Sequence, residues 1–184
     1  MLYTRKGDDG MTKAFGCDQR MSKSSAVAEA LGSLDEINSF LGLVKVELSG
    51  GIGKKESKNI SPEIVHAIQE NLFIIQAEVA GFPKSLPKEK VTEAEKLIDD
   101  IEKQLPPIKT FFISGGTKLA ALFDVSRTIA RRAERRVVEV SEEGKVKVSK
   151  ETLAYLNRLS SLLYAFARLS AYKSGIKEQA PSYK

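Results

Sequence analysis

The chain has 184 residues, 42% hydrophobic and 29% charged, enough for one sizeable core and marginal for two. Its 29 basic and 24 acidic residues leave a formal charge of +5, a mild bias that favours anionic ligands without demanding nucleic acid. The lone Cys17 excludes an internal disulfide, no apolar run is long enough to span a bilayer, and the start MLYTRKGDDG lacks a signal peptide's apolar core, so a cytoplasmic protein is expected.

Residues 1–23 carry no sustained period and read as a loop with short strand-like pieces, not as a β-hairpin. From Ser24 the pattern turns helical. Val27, Leu31, Leu34, Ile37 (or Asn38), Leu41 and Val44 recur at three- and four-residue steps, and Ser24 or Ser25 suits the N-cap. SGGIGKKESKNISP breaks this helix. Pro62 then fits a first turn, and Ile64, Val65, Ile68, Leu72 and Ile75 form the next stripe until GFPKSLPKEK ends it. Thr92 and Glu95 have capping-box spacing and predict the start of a third helix carrying Leu97, Ile98, Ile101 and Leu105, stopped by Pro106 and Pro107. After TFFISGG, a helix without Pro or Gly is predicted from Thr117 to about Val140. Ser149 caps the last helix, whose stripe is Leu153, Leu156, Leu159, Leu163, Phe166 and Ala167 and which ends near Gly175. The expected fold is all-α: a single domain forming a five-helix antiparallel, up-and-down, ferritin-like bundle over 24–175, with an ordered N-terminal loop and a polar tail over 176–184.

RTIARRAERR (127–136) places five arginines in ten positions with one acid, Glu134. Arg127, Arg131 and Glu134 share one face of the helix, Arg135 continues it, and Arg132 and Arg136 lie about 100° round. Three readings stay open here: a solvated stripe paired with neighbouring acids, an anion site built on guanidinium forks, or a nucleic-acid groove helix. The basic residues do not extend along one continuous surface and no nucleic-acid motif is present. YTRKGDDGMTK (3–13) adds Gly7 and Gly10 to Arg5, Lys6, Lys13, Thr4 and Thr12, a composition that brings backbone amides close to a ligand. It is neither a Walker A loop nor a Rossmann fingerprint.

The ordered combination YTRKGDDGMT, ALGSLDEINSFLG, FFISGG with SRTIARRAERRVV, and YLNRLSSLLYAFAR is specific. It resembles the ATP:cob(I)alamin adenosyltransferases of the propanediol-utilisation and human methylmalonic-aciduria type, whose pattern runs YTxxGDxGxT, GxxDELNSxxG, F(I/V)LPGG, ARxxxRRAERR and YLNRLSDxLF. The resemblance covers nearly the whole chain. It implies a homotrimer with sites between subunits. It also implies transfer of the 5′-deoxyadenosyl group of ATP to the cobalt of reduced cobalamin, with Mg²⁺ held mainly through the ATP phosphates. A flavin-dependent reductase and an adenosylcobalamin-dependent mutase are the protein partners that follow; neither nucleic acid nor membrane is a partner.

Carried over position by position, the resemblance implies that Thr4, Arg5, Lys6, Gly7, Thr12 and Lys13 cradle triphosphate, joined by Lys23, Arg131, Arg132, Glu134, Arg135 and Asn157. Arg131 and Phe111 take the catalytic roles, with Phe111 beside the corrin holding the lower axial ligand off cobalt; read without the resemblance, Phe111 and Phe112 are core packing. Arg127 is expected to pair with Asp35 across the subunit interface. Cob(I)alamin is itself a strong nucleophile, so no protein base is needed, and His66 and Cys17 read as structural and incidental. Three positions depart from the family pattern: Ser114 stands for Pro, Asp124 for His and Ser161 for Asp. The last two place the cobalamin contacts in more doubt than the ATP contacts. The competing readings, a helical nucleic-acid binder or a non-catalytic assembly module using the arginine face, do not need YTRKGDDGMT.

Overall fold

The computed structural model of the chain describes residue 3 and residues 5–13, 20–50 and 59–183. Thr4 and Cys17 lie outside the described residues, as does 51–58 within the break after the first helix.

The elements are two short strands, β1 (Met11–Lys13) and β2 (Arg20–Ser22), and five helices: α1 (Ala26–Ser49), α2 (Pro62–Val79), α3 (Lys88–Glu102), α4 (Lys118–Glu143) and α5 (Lys150–Lys173). Four helices begin at a hydroxyl cap. Ser25, Ser61, Thr117 and Ser149 each accept from the backbone N–H three residues on, satisfying a donor that the first helical turn leaves open. α4 ends at Gly144, whose φ of +70° is the left-handed conformation that suits glycine.

Two expectations need correction. β1 and β2 pair antiparallel in the register Met11↔Ser22, Thr12↔Met21, Lys13↔Arg20 where no hairpin was predicted. Three-residue strands of mixed polarity carry no readable alternation; backbone pairing holds them, helped by the Arg20 guanidinium bonding Lys6 O and Asp9 Oδ1 at 2.7 Å each. α3 starts at Lys88 rather than Thr92. Its cap is Pro87, with no side-chain hydrogen bond, and buried Leu86 anchors the entry, so the Thr92–Glu95 pattern falls inside the helix.

Side-chain pairs fix the packing. Gln69 bridges α2 to α1, accepting from Lys45 Nζ (2.8 Å) and donating to Asn38 O (2.9 Å). Lys118 meets Glu47 and Arg132 meets Glu36, so α4 runs antiparallel to α1. Asn157 meets Glu134 and Tyr164 meets Arg127, so α5 runs antiparallel to α4. Asn71 meets Tyr155 and Glu78 meets Ser149 and Thr152, so α2 is antiparallel to α5, whereas Glu95 to Arg158 and Pro106 to Arg168 make α3 parallel to it. Successive helices therefore alternate in direction, as an up-and-down bundle requires.

The core is one continuous cluster. Leu34, Ile37, Leu41, Leu72, Ile75, Ile101, Phe123, Leu156, Leu159 and Phe166 are fully enclosed within it, and the Phe123 and Phe166 rings sit 5.1 Å apart at 51°. Burial also pushes the Tyr155 hydroxyl up to about 12, although Asn71 Nδ2 donates to it at 3.0 Å. Among the described residues no helix is long and apolar enough to cross a membrane.

Candidate active site

One end of the bundle is hollow. Between the first half of α4, the last half of α5, the loop before α4 and the chain after α5 lies a cavity of about 660 Å³. Its wall includes Phe111, Asp124, Arg127, Arg131, Ser161 and Tyr164.

The loop before α4 shapes one side. Gly115 and Gly116 adopt φ of +117° and +93°, a turn that L side chains resist, and Asp124 Oδ2 accepts from Gly115 N at 3.0 Å. A Cβ on Gly116 would meet Ile176 Cγ2 at 3.0 Å. Phe111 projects at the mouth with 78% of its surface exposed, so core packing does not describe it. Phe112 also lines the cavity and lies under the Arg168 guanidinium, 5.5 Å from ring centroid to Cζ.

α4 and α5 shape the floor. Helical spacing puts Asp124, Arg127 and Arg131 on one face. Arg127 is half-buried over the Tyr164 ring (5.9 Å), and its Nε has no hydrogen-bond partner among the described residues. Desolvation pushes the Asp124 carboxyl above its ordinary value, opposed by the Gly115 amide and by Arg127. Desolvation likewise raises Tyr164. Arg131 is exposed and, among the described residues, unmatched by any carboxylate.

About one turn further along α4, Glu134 accepts from Asn157 Nδ2 (3.1 Å), Asn157 Oδ1 accepts from Arg158 (2.8 Å), and Arg158 Nε reaches Glu95 (3.0 Å). Arg132 points to α1 and pairs with Glu36, Arg136 pairs with Glu139 at 3.0 Å, and Arg135 is exposed. With two of its five arginines matched to acids, the helix presents no continuous basic stripe of the kind a nucleic-acid backbone needs. Asp35 is exposed on α1, away from Arg127 in the same chain, where no contact joins them.

The N-terminal loop is a separate structure. Gly7 and Gly10 make tight turns, and Arg5 takes φ +59° with its guanidinium 5.6 Å from the Tyr3 ring. Lys23 Nζ donates to Gly7 O at 2.7 Å, while the Arg20 hydrogen bond, then the Met11 amide, hold Asp9 below its ordinary value. Thr12 and Lys13 lie in β1. None of the described residues of this loop lines the cavity. Lys23 ties the loop to the start of α1, which lies beside the far end of α4 because the two helices are antiparallel; that end is about 18 Å along the helix axis from Arg131. One chain thus unites Phe111, Arg127 and Arg131 in one place and Arg5, Lys6, Gly7 and Lys23 in another.

His66, expected to be structural, is on an exposed face of α2, 3.8 Å from Glu70. Among the lining residues not singled out from the sequence are Tyr164, Arg168, Ile176 and Glu178. The signal for one was present. Arg168 lies on the apolar stripe beside Phe166 and Ala167, where a guanidinium must find an acid.

An up-and-down helical bundle with an arginine-walled cavity at one end defines a class that the comparisons narrow. Residues 2–170 match the model of the cobalamin adenosyltransferase family. The chain is 40% identical over 181 residues to a corrinoid adenosyltransferase of Bacillus subtilis, covering 95% of this chain and 89% of that protein. It is 36% identical to the corrinoid adenosyltransferase PduO of Citrobacter freundii, covering 91% of this chain but only 49% of PduO. A solved structure superposes with a TM-score of 0.86 at 28% identity, covering 99% of this chain and 97% of that one. It is a phenylalanine-to-histidine variant of the PduO-type ATP:corrinoid adenosyltransferase of Lactobacillus reuteri complexed with cobalamin and ATP. The chain belongs to the cobalamin adenosyltransferase family.

Proposed function

We propose that this chain transfers the 5′-deoxyadenosyl group of ATP to the cobalt of cob(I)alamin, giving adenosylcobalamin and triphosphate. The observation that carries the reading is the cavity that groups an exposed Phe111 with Arg127 and Arg131 in a chain of this family. The cobalt lone pair attacks C5′; the Co–C bond forms as the C5′–O bond breaks, and triphosphate leaves with the electron pair. Cobalt goes from Co(I) to Co(III), so the protein supplies no nucleophile and no base. Its task is to orient C5′ toward cobalt and to neutralise the departing anion.

Arg131 is the cavity group suited to that anion, being exposed and unmatched. Thr4, Arg5, Lys6, Gly7, Thr12, Lys13 and Lys23 form the triphosphate cradle, with Arg132, Glu134, Arg135 and Asn157 completing the nucleotide site. Gly7 suits the cradle role, because a Cβ there would crowd Lys23 Nζ at 3.1 Å and Met11 O at 3.2 Å. The separation of this loop from Arg131 within one chain favours a site shared between copies, as in a homotrimer. The unpartnered Nε of Arg127 and the exposed Asp35 suit a pair across that interface. Among the described residues no three His, Cys, Asp or Glu side chains converge on a metal position. Mg²⁺ therefore fits as a companion of the ATP phosphates, where it supplies charge neutralisation. Phe111 offers the corrin an apolar wedge. A flavin-dependent reductase supplying Co(I) and a mutase taking up adenosylcobalamin, all in the cytoplasm, complete the reading.

The test mixes the purified protein with chemically reduced cobalamin, ATP and Mg²⁺ and follows corrin absorbance. Light-sensitive adenosylcobalamin is expected with the wild type and not with Arg131→Ala. No product with a good reductant, although ATP binds, refutes the reading.

A further inference from the structure

The chain after α5 does not trail away as a polar tail. It turns back at Gly175 (φ +73°) and crosses the hollow end of the bundle, with Ile176, Lys177, Glu178 and Gln179 all facing the cavity. Ile176 N ties it to Ala171 O of α5 at 3.1 Å, and three further tethers reach the segment 106–116 that carries Phe111, two directly and one through Arg168. Ile113 N donates to Gln179 O at 2.8 Å. Ile176 packs where a Cβ on Gly116 would be. Arg168, only 7% exposed, donates from Nε to Glu178 Oε1 (2.5 Å) and from Nη2 to both Glu178 Oε2 (2.9 Å) and Pro106 O (3.0 Å). Its guanidinium face covers Phe112. One buried guanidinium thus holds the strap with one edge and the start of the Phe111 segment with the other.

We propose that Arg168 and Glu178 form a latch that positions the Phe111 segment for the corrinoid: Glu178 is a positioning residue acting through Arg168 and the strap. This rests on the reading of the cavity as the corrinoid site. Three physical points carry it. First, a buried ion pair is a poor stabiliser, because desolvation offsets most of its attraction, but a bidentate fork with a third bond is a good way to fix geometry. Second, the chain before Phe111 runs from Pro106 without helix or strand, so its placement depends on contacts from outside the segment. Third, the strap also bonds the Phe111 segment directly, Ile113 N donating to Gln179 O at 2.8 Å, so a shift of the strap moves the segment.

The closing experiment uses the full chain and two near-isosteric changes. Glu178→Gln keeps the shape and removes the charge; Arg168→Lys keeps the charge and removes the fork. Steady-state rates are measured against cob(I)alamin and against ATP. Cob(II)alamin binding and amide hydrogen exchange at Ile113 are measured on the same samples. A latch predicts that KM for cob(I)alamin and Kd for cob(II)alamin rise about tenfold or more, the scale set by losing sub-ångström placement of a contact. KM for ATP stays within about twofold and exchange at Ile113 accelerates. Unchanged corrinoid constants overturn the proposal, as does an equal rise for both substrates, which marks a merely structural pair. Glu178 is at the strap's edge, so its variant is expected to fold, and a retained melting temperature verifies that. A wild type that binds cob(II)alamin but forms no product refutes the proposed reaction and leaves the binding comparison to judge the latch. A wild type that binds no corrinoid overturns both.

Discussion

Glu78 stands at the C-terminal end of α2, 5% exposed, and works as a cap for a helix it does not belong to. Its Oε1 accepts from Ser149 N at 2.6 Å, and its Oε2 accepts from Thr152 Oγ1 at 2.5 Å and Ser149 Oγ at 3.2 Å. All three donors are in the first turn of α5, where the helix dipole also favours a carboxylate. Glu78→Ala leaves the Ser149 amide unpartnered, at about 1–3 kcal/mol. It loses the dipole interaction, at about 0.5–1 kcal/mol. The two hydroxyls can turn to other acceptors, so they add less than the amide. The sum is about 2–4 kcal/mol, equivalent to a fall of roughly 5–15 °C in Tm for a domain of this size. Glu78→Gln keeps one acceptor oxygen and is expected to lose about half as much. Urea unfolding followed by far-ultraviolet circular dichroism measures both, with an unchanged slope showing that the midpoint shift is a stability loss. Accelerated hydrogen exchange should be confined to the first turn of α5 and the end of α2. A loss below about 1 kcal/mol for Glu78→Ala refutes the capping argument.

Four other outcomes are expected. Arg131→Ala should lower turnover by about a hundredfold or more without moving Tm. Arg132→Ala should cost less than about 1 kcal/mol of stability, because the pair it breaks with Glu36 is exposed; equal effects of the two on turnover would show that the arginines are not sorted as described. Asp124 has its folded pKa raised above 3.8, so the native state holds the proton where the unfolded chain releases it. Its contribution is therefore present at and below the unfolded value and is lost as pH rises through the folded one. Asp124→Asn removes that titration, so unfolding free energy of the variant relative to wild type should climb with pH from about 4 upward and then level off; a falling difference refutes the assignment. Gly116→Ala must take φ +93° and push Ile176 aside, which should cost about 1–2 kcal/mol and raise KM for cob(I)alamin more than KM for ATP.

The helices were legible because burial repeats along them. The stripes of α1, α2 and α5 and two of the predicted caps, Ser25 and Ser149, recur in the structure, since cap and stripe are both local signals. The failures share a cause. β1 with β2, the Pro87 entry to α3, the Glu78 cap and the strap all rest on backbone bonds or on pairs distant in sequence. IKEQ has no period, and Ile113 N to Gln179 O involves no side chain at all. Of the residues singled out from the sequence, Phe111, Arg127 and Arg131 line one cavity. Tyr164, Arg168 and Glu178 were missed because their role appears only when the chain after α5 turns back.

The five arginines of RTIARRAERR show what spacing can and cannot decide. A step of about 100° per residue separates Arg132 and Arg136 from the Arg127–Arg131 face, and that much is fixed by helix geometry. Which arginine is spent depends on the neighbour each direction meets. Arg132 points at α1 and finds Glu36; Arg136 finds Glu139 one turn along its own helix. Arg127 points at α5 and finds Tyr164, an aromatic face that leaves its Nε unsatisfied among the described residues. Arg131 points into the cavity and Arg135 into solvent, neither matched by an acid within the described chain. An external anion competes for no carboxylate at these last two positions and for one at the paired positions. Within the described chain, the cavity arginine left open to an external anion is therefore Arg131, whatever the net charge of the segment.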